Sequence, residues 1–351
     1  MNSIIIEDIE DVDELVDPTP FFDKTILISG GSGFLPAYLV EYFLYVNQKY
    51  HNQKIDVIII VRDIIKANNR FRNYLNNKSL MIYEHDVVNY FNYDGKIDFI
   101  IHAASQASPK YFGIDPVGTL SANTIGTNNL LKLGVEKKIK SFLFFSSSEI
   151  YGNSSEFSSI NICETNYAVI DPNNVRSCYS LGKKMGENIC TSWAKQYGID
   201  VKIVRPFHTY GPGMSLEDGR VFADFVKNIV NKKNIIIKSD GKAIRSYCYI
   251  KDATIGFLKV LSNGKNNYPY NIGNPNESFS VKELAKIIID ISNISEIECL
   301  INDTQNKGGY LKSETSRLVP NIDRLTELGF VPKTSAREGF KRTILSYYEK
   351  N

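Results

Sequence analysis

Apolar and polar positions change period several times along the 351-residue chain, and the changes mark alternating strands and helices. Short apolar runs at Lys24–Ser29, Lys54–Val61, Leu80–Tyr83, Ile97–His102, Ser141–Phe145 and Val201–Val204 have the length of buried strands. Helical periods separate them at Ala37–Val46, at Pro116–Glu136 and in the stretch that carries Tyr179. Such alternation predicts an α/β fold with a doubly wound parallel sheet over residues 21–212. Beyond about Met214 the pieces shorten, with helix-like Val221–Val230, strand-like Ile235–Lys238, the run Arg245–Asp252 and an amphipathic Ser280–Ile291. Residues 213–351 are therefore expected to form a smaller mixed α/β lobe, with a segment near 243–268 returning to the first domain. Residues 1–20, acidic and closed by Pro18 and Pro20, read as an extension packed on the body. There is no internal repeat and no low-complexity tract.

Charge narrows the function class. Lys plus Arg number 41 against 39 Asp plus Glu, a net +2 with no basic block, which argues against nucleic-acid binding. No apolar run approaches the roughly 20 residues that cross a bilayer, and the acidic start lacks the form of a secretory signal. Cys163, Cys178, Cys190, Cys248 and Cys299 have neither disulfide nor metal-ligand spacing, so a reducing cytoplasm and no metal are expected. Cys178 has no evident His partner and reads as a buried thiol.

The strand at 24–29 runs directly into Gly30-Gly31-Ser32-Gly33-Phe34-Leu35-Pro36 and then a helix, the context of a dinucleotide-binding turn. Gly30 permits the tight turn, and Gly33 lets amides at the helix N-terminus approach a pyrophosphate. Pro36 replaces the third glycine of the pattern, which the first helical turn tolerates. At the second strand end Arg62 stands where an acidic ribose ligand is usual and Asp63 follows, so the choice between NAD and NADP stays open. Asp86 and Val87 are expected at the adenine, and Ala103, Ala104 and Ser105 are small enough for backbone to pass the cofactor. Pro206, at the sixth strand end, joins this set, whereas His102 is expected to pack rather than react.

Tyr179 and Lys183 lie one helical turn apart. An ammonium beside the phenol would favour phenolate; moving a Tyr from a pKa of about 10 to neutrality needs about 4 kcal/mol, toward which an oxidised nicotinamide ring would contribute. The pair alone recurs by chance on solvated helices. It gains weight from Ser146–Gly152 at the carboxyl end of the fifth strand and from the long loop 153–176 before it.

Taken together, the glycine turn, the Ser147-Ser148-Glu149 strand end and the Tyr179/Lys183 pair resemble the extended short-chain dehydrogenase/reductases, over roughly residues 23–350. Within them the chain looks most like UDP-glucuronate decarboxylases, through Ala104–Pro109, Asn123–Thr127, Ser148–Gly152, Cys178–Lys183, Thr209–Pro212 and Asp218–Arg220. The resemblance implies bound NAD(P), a nucleotide-sugar substrate and a homodimer through the helices containing Asn123 and Tyr179. It makes Tyr179 the base at the sugar C4 hydroxyl, Lys183 the holder of the nicotinamide ribose, and Ser147 the hydrogen-bond partner of the C4 oxygen. Glu149 matches the acid acting near C5 and C6, which simple 4-epimerases usually lack, and Ser148 lines the sugar. Ser148 stands where one dehydratase group has Asp, but dehydration stays open, as do C4 reduction or epimerisation of a 6-deoxy sugar nucleotide. A redox-sensing protein without catalysis would have no need of Ser147, Tyr179 and Lys183. Two departures stand out: decarboxylases usually carry Arg at Gly213 and, near the substrate diphosphate, Asn at His208. Arg220, Arg245 and Arg317 remain as phosphate clamps, each equally readable as an ordinary ion pair.

Overall fold

The computed structural model describes residues 2–51, 53–152, 157, 159–301 and 316–349. In chain order the helices are α1 (Ser3–Leu15), α2 (Phe34–Lys49), α3 (Ile64–Arg70), α4 (Pro116–Lys137), α5 (Cys178–Tyr197), α6 (Val221–Val230), α7 (Ile250–Asn263), α8 (Val281–Ser292), α9 (Asp323–Thr326) and α10 (Ala336–Tyr348). The strands are β1 (Lys24–Ser29), β2 (Ile55–Val61), β3 (Leu80–Glu84), β4 (Phe99–His102), β5 (Ser141–Phe145), β6 (Val201–Pro206), β7 (His208–Tyr210), β8 (Ile235–Ile237), β9 (Ile244–Tyr249), β10 (Tyr268–Ile272), β11 (Ser278–Ser280), β12 (Cys299–Ile301) and β13 (Arg317–Leu318).

Seven strands form one sheet in the order β10-β6-β5-β4-β1-β2-β3, every pair parallel. Because successive side chains alternate faces, Ile26 and Ile28 enter the layer with α1, α2 and α7, whereas Leu27 joins Phe142 and Phe144 under α4 and α5. Burial on both faces explains the near-continuous apolar runs. The strand order reverses between β1 and β4, which opens a crevice at the carboxyl ends of the strands. The remaining strands build a second, mixed sheet around β9, which pairs with β7, β11 and β13, and a separate β8–β12 pair.

The return to the main sheet differs from the expected 243–268. Ile244–Tyr249 belongs to the second sheet, while α7 packs on the seven-stranded sheet and β10 is its edge strand. The β10 sequence Tyr-Pro-Tyr-Asn-Ile is a strand that contains a proline; as an edge strand it has room for Pro269. Helix α2 starts at Phe34, so Pro36 sits in its first turn.

The acidic extension is a helix. Ile4, Ile5, Ile9 and Val12 of α1 face the body, and Asp8 and Asp13 are buried with them. Asp8 is the centre of the contact: its carboxylate accepts from Tyr38 Oη (3.2 Å), Tyr249 Oη (2.8 Å) and Arg342 Nη2 (2.9 Å). Burial pushes its pKa up to about 6, although Tyr249 and Arg342 pull the other way. A folded-state pKa above the unfolded value means the native state holds the proton more tightly. This contribution is complete below about pH 4 and is lost as pH rises through about 6. Urea unfolding at several pH values should show the stability of the natural chain, relative to Asp8→Asn, falling across that window by up to about 3 kcal/mol. A flat difference would mean that Asp8 is not titrating inside the fold.

Candidate active site

The cradle at the switch point is built by close backbone approach. Gly30 has φ +67°, and a Cβ there would lie 2.8 Å from Ala104 Cα, so only glycine fits between β1 and the segment after β4. Gly33 N donates to Gly30 O at 2.7 Å, and Gly33 is the N-cap of α2 without a side-chain cap, leaving first-turn amides, with Phe34 and Leu35, for an anion. Ser29 Oγ accepts from Ala103 N and Ala104 N at 3.2 and 3.1 Å. It also bonds His102 Nδ1 at 2.7 Å, while His102 Nε2 faces Ala122 O at 3.2 Å. A carbonyl only accepts, so Nε2 carries the proton; burial brings the imidazole pKa down to about 3, and His102 is structural, as expected. Ser105 Oγ is buried with no hydrogen-bond partner among the described residues, which suits a site completed by a ligand.

Other predicted contacts hold the loops around this cradle. Asp63 caps α3, accepting Lys66 N at 2.8 Å, and leaves exposed Arg62 as the charged group at the β2 end. Asp86 accepts Val88 N at 3.1 Å, and Val87, packed against Gly126, presents its carbonyl to Asn129 Nδ2 at 3.1 Å. Pro206 ends β6 beside Ile272.

Tyr179 enters the cleft from the first turn of α5, stacked on Phe112 with ring centres 5.1 Å apart, and Ser147 is the neighbouring hydroxyl that draws its phenol pKa down. Ser147 Oγ also accepts Glu149 N at 3.1 Å, which fixes the turn, and buried Ser148 lies between them. Lys183 is fully enclosed: its Nζ donates to Phe145 O at 2.5 Å and stands 5.8 Å from the Tyr179 ring centre. Here the expected electrostatics are corrected. Burial takes the Lys183 ammonium down to about 7, with Glu187 opposing, and burial also raises the Tyr179 phenol above its ordinary value, with Ser147 and Arg220 opposing. The lysine alone therefore does not create a phenolate. Desolvation outweighs its charge.

On the opposite wall, Arg220 pairs with Asp218 at 3.3 Å and donates to Ala107 O at 3.0 Å, strapping the segment before α6 over the cleft. Buried Arg245 donates to Ile244 O at 2.8 Å. His208 is half-buried; shielding from water, then Arg245, then Arg220 hold it neutral, and its Nδ1 and the neighbouring Tyr247 hydroxyl lack partners among the described residues. Arg317 instead ties β13 to the loop, donating to Ile160 O and, at 2.7 Å, to Asn161 Oδ1. Beside Gly213, at φ +82°, the Arg70 guanidinium occupies the space a side chain would need. Asn153–Glu156 and Ser158 of the predicted long loop lie outside the described residues.

Sequence reading passed over Phe112, Arg176, Glu187 and Asp218. Arg176 Nη1 lies 3.4 Å from Glu149 Oε2. Only its position three residues before Tyr179 hints at this, and Asp218 had its signal in the Asp-Gly-Arg stretch.

The residues of this crevice fall within a stretch, 26–273, that matches the model of the NAD dependent epimerase/dehydratase family. The chain belongs to that family. It is accordingly an NAD-dependent, nucleotide-sugar-modifying enzyme. UDP-glucuronic acid decarboxylase 5 of Arabidopsis thaliana is 32% identical over 316 residues, 90% of this chain and 86% of the relative. The fold is also that of UDP-glucose 4-epimerase from Thermotoga maritima, solved with UDP-glucose (TM-score 0.78, 22% identity, 92% of this chain, 98% of that one). A dTDP-glucose 4,6-dehydratase from Streptomyces venezuelae, solved with NAD, shares it too (TM-score 0.76, 21%, 92% and 97%).

Helix α5 is held by an enclosed ion pair. Arg205, 1% exposed, donates Nε and Nη2 to the two Glu187 oxygens at 2.9 and 2.7 Å, and Nη1 to Tyr151 Oη at 3.0 Å and Glu164 O at 2.8 Å. Arg205→Gln strands the Glu187 carboxylate and should lower unfolding free energy by about 3–5 kcal/mol in urea titration. A loss under about 1 kcal/mol would show that water reaches the pair.

Proposed function

We propose that this enzyme decarboxylates UDP-glucuronate, oxidising C4 transiently with bound NAD. The observation that carries the reading is Glu149: a carboxylate stands in the same site as the Ser147–Tyr179 pair, and C4 redox chemistry alone has no use for it. Similarity to UDP-glucuronic acid decarboxylases over 90% of the chain supports it. Bound NAD supplies a hydride acceptor that later returns the same hydride. Tyr179, as the phenolate that an oxidised nicotinamide ring would favour, takes the proton of the C4 hydroxyl as hydride leaves C4, leaving a C4 ketone. The uronate is then a β-keto acid: the C5–C6 bond breaks, CO2 leaves, and its electron pair passes through C5 to the C4 oxygen. Ser147 stabilises that enolate oxygen, and Glu149 delivers a solvent-derived proton to C5. Tyr179 finally gives its proton back to the C4 oxygen. The balance is one proton consumed and one CO2 released.

In this reading residues 21–212 hold the dinucleotide and residues 213–351 mainly the sugar nucleotide, with Arg220, Arg245 and His208 at the diphosphate. Exposed Val117, Leu120 and Ile125 on α4 and Met185 on α5 support a homodimer through those helices. Five unpaired cysteines support a cytoplasmic setting. Among the described residues no helix is long and apolar enough to cross a membrane.

Mass spectrometry of the purified enzyme with UDP-glucuronate, and separately with dTDP- and GDP-hexoses, no cofactor added, should detect CO2 loss from UDP-glucuronate alone. Loss of water from a hexose would move the enzyme to the dehydratases. No reaction until NADPH and a 4-keto-6-deoxy sugar are supplied would make it a reductase. Tyr179→Phe should lower turnover by about a thousandfold while dinucleotide affinity, read by fluorescence titration, is kept. With Glu149→Gln, C4 oxidation should persist and stall, so that reduced nicotinamide accumulates in the absorbance spectrum. Normal product from either variant would sink the corresponding role.

A further inference from the structure

Arg176 lies in the short turn Val175–Ser177 that leads into α5, and Asn174 pins that turn by accepting Arg176 N at 3.0 Å. Its Nη1 is 3.4 Å from Glu149 Oε2, with the two side chains 19% and 33% exposed. The guanidinium also stands 6.0 Å from the centre of the Phe112 ring, the ring that stacks on Tyr179. One aromatic ring thus joins Arg176 to the reacting tyrosine, and one ion pair joins it to Glu149.

We infer that Arg176 is the residue that lets this site accept an anionic sugar, by balancing the charge of Glu149. The inference rests on the decarboxylase reading, which brings a uronate carboxylate within reach of Glu149. Two carboxylates sharing a partly dehydrated site repel each other, and without a cation one must bind a proton or the ligand binds weakly. A guanidinium keeps its charge throughout the working pH range and so removes the repulsion without a proton. Placed on Glu149 rather than in bulk water, that charge is only weakly screened. A neutral sugar on the same nucleotide gains nothing from it. Arg176 is therefore a positioning and specificity-determining residue whose effect depends on ligand charge.

The test is calorimetric titration of the full-length, NAD-loaded enzyme in a Tyr179→Phe background, which binds without turnover, with UDP-glucuronate and with UDP-xylose, the same sugar nucleotide without the carboxylate. Arg176→Gln should weaken UDP-glucuronate by about tenfold or more and leave UDP-xylose within about twofold. Arg176→Lys should recover most of the loss. Adding Glu149→Gln to Arg176→Gln should restore UDP-glucuronate binding, because no carboxylate is left to repel it. Equal weakening of both ligands, or no rescue in the double variant, would overturn the inference and leave Arg176 a structural support. Because these are binding measurements, they stand apart from turnover: an unmodified enzyme that binds both ligands but releases no CO2 sinks the decarboxylase reading, while the charge comparison is still decided by the variants.

Discussion

The enclosed pair of Arg205 and Glu187 is the interaction on which the rest of the site depends. Arg205 belongs to β6, Glu187 to α5, and the same guanidinium reaches Tyr151 and the Glu164 carbonyl. Tyr151 in turn bonds Asn271 Oδ1 at 2.5 Å, and Glu164 takes Asn271 N at 2.8 Å and Arg324 Nε at 3.5 Å. One connected set of polar groups therefore locks helix α5, the central sheet, its edge strand β10 and the C-terminal part into a single arrangement. Breaking any member strands another in a poorly solvated place, so the set resists partial rearrangement.

That rigidity serves a site whose charges are held in unfavourable states. Lys183 sits one turn before Glu187 and is brought down to about 7 by burial, with Glu187 opposing. Tyr179 is kept as a phenol by the same desolvation. Ser147 and Arg220 oppose that rise without overcoming it. On the far wall, near Arg245, the His208 Nδ1 and the Tyr247 hydroxyl lack partners among the described residues.

Much of this was legible in the chain. Lys24–Ser29, Ser141–Phe145 and Val221–Val230 are elements with those bounds, because short apolar runs and helical periods are local signals. Gly30 was legible because a tight turn between strand and helix has few other solutions. The N-terminal helix was not, since its acidic residues disguised an apolar stripe: Asp8 is tolerable inside only because Tyr38, Tyr249 and Arg342 arrive from distant sequence. Strand β10 was missed because its proline is acceptable only at a sheet edge, and edge position is not written locally.

By itself the sequence determined the layered α/β architecture and the dinucleotide turn, and it singled out Ser147, Glu149, Tyr179 and Lys183 as candidates, because each rests on spacing along one or two turns or a strand end. Tertiary structure alone decided which charges meet: Arg176 on Glu149, Arg220 on Asp218, Arg205 on Glu187, and Arg70 beside Gly213. It also reversed the expected direction of the Tyr179 shift, because the free energy of a charge depends on the water removed around it. Burial is a property of the whole fold, and no local pattern carries it.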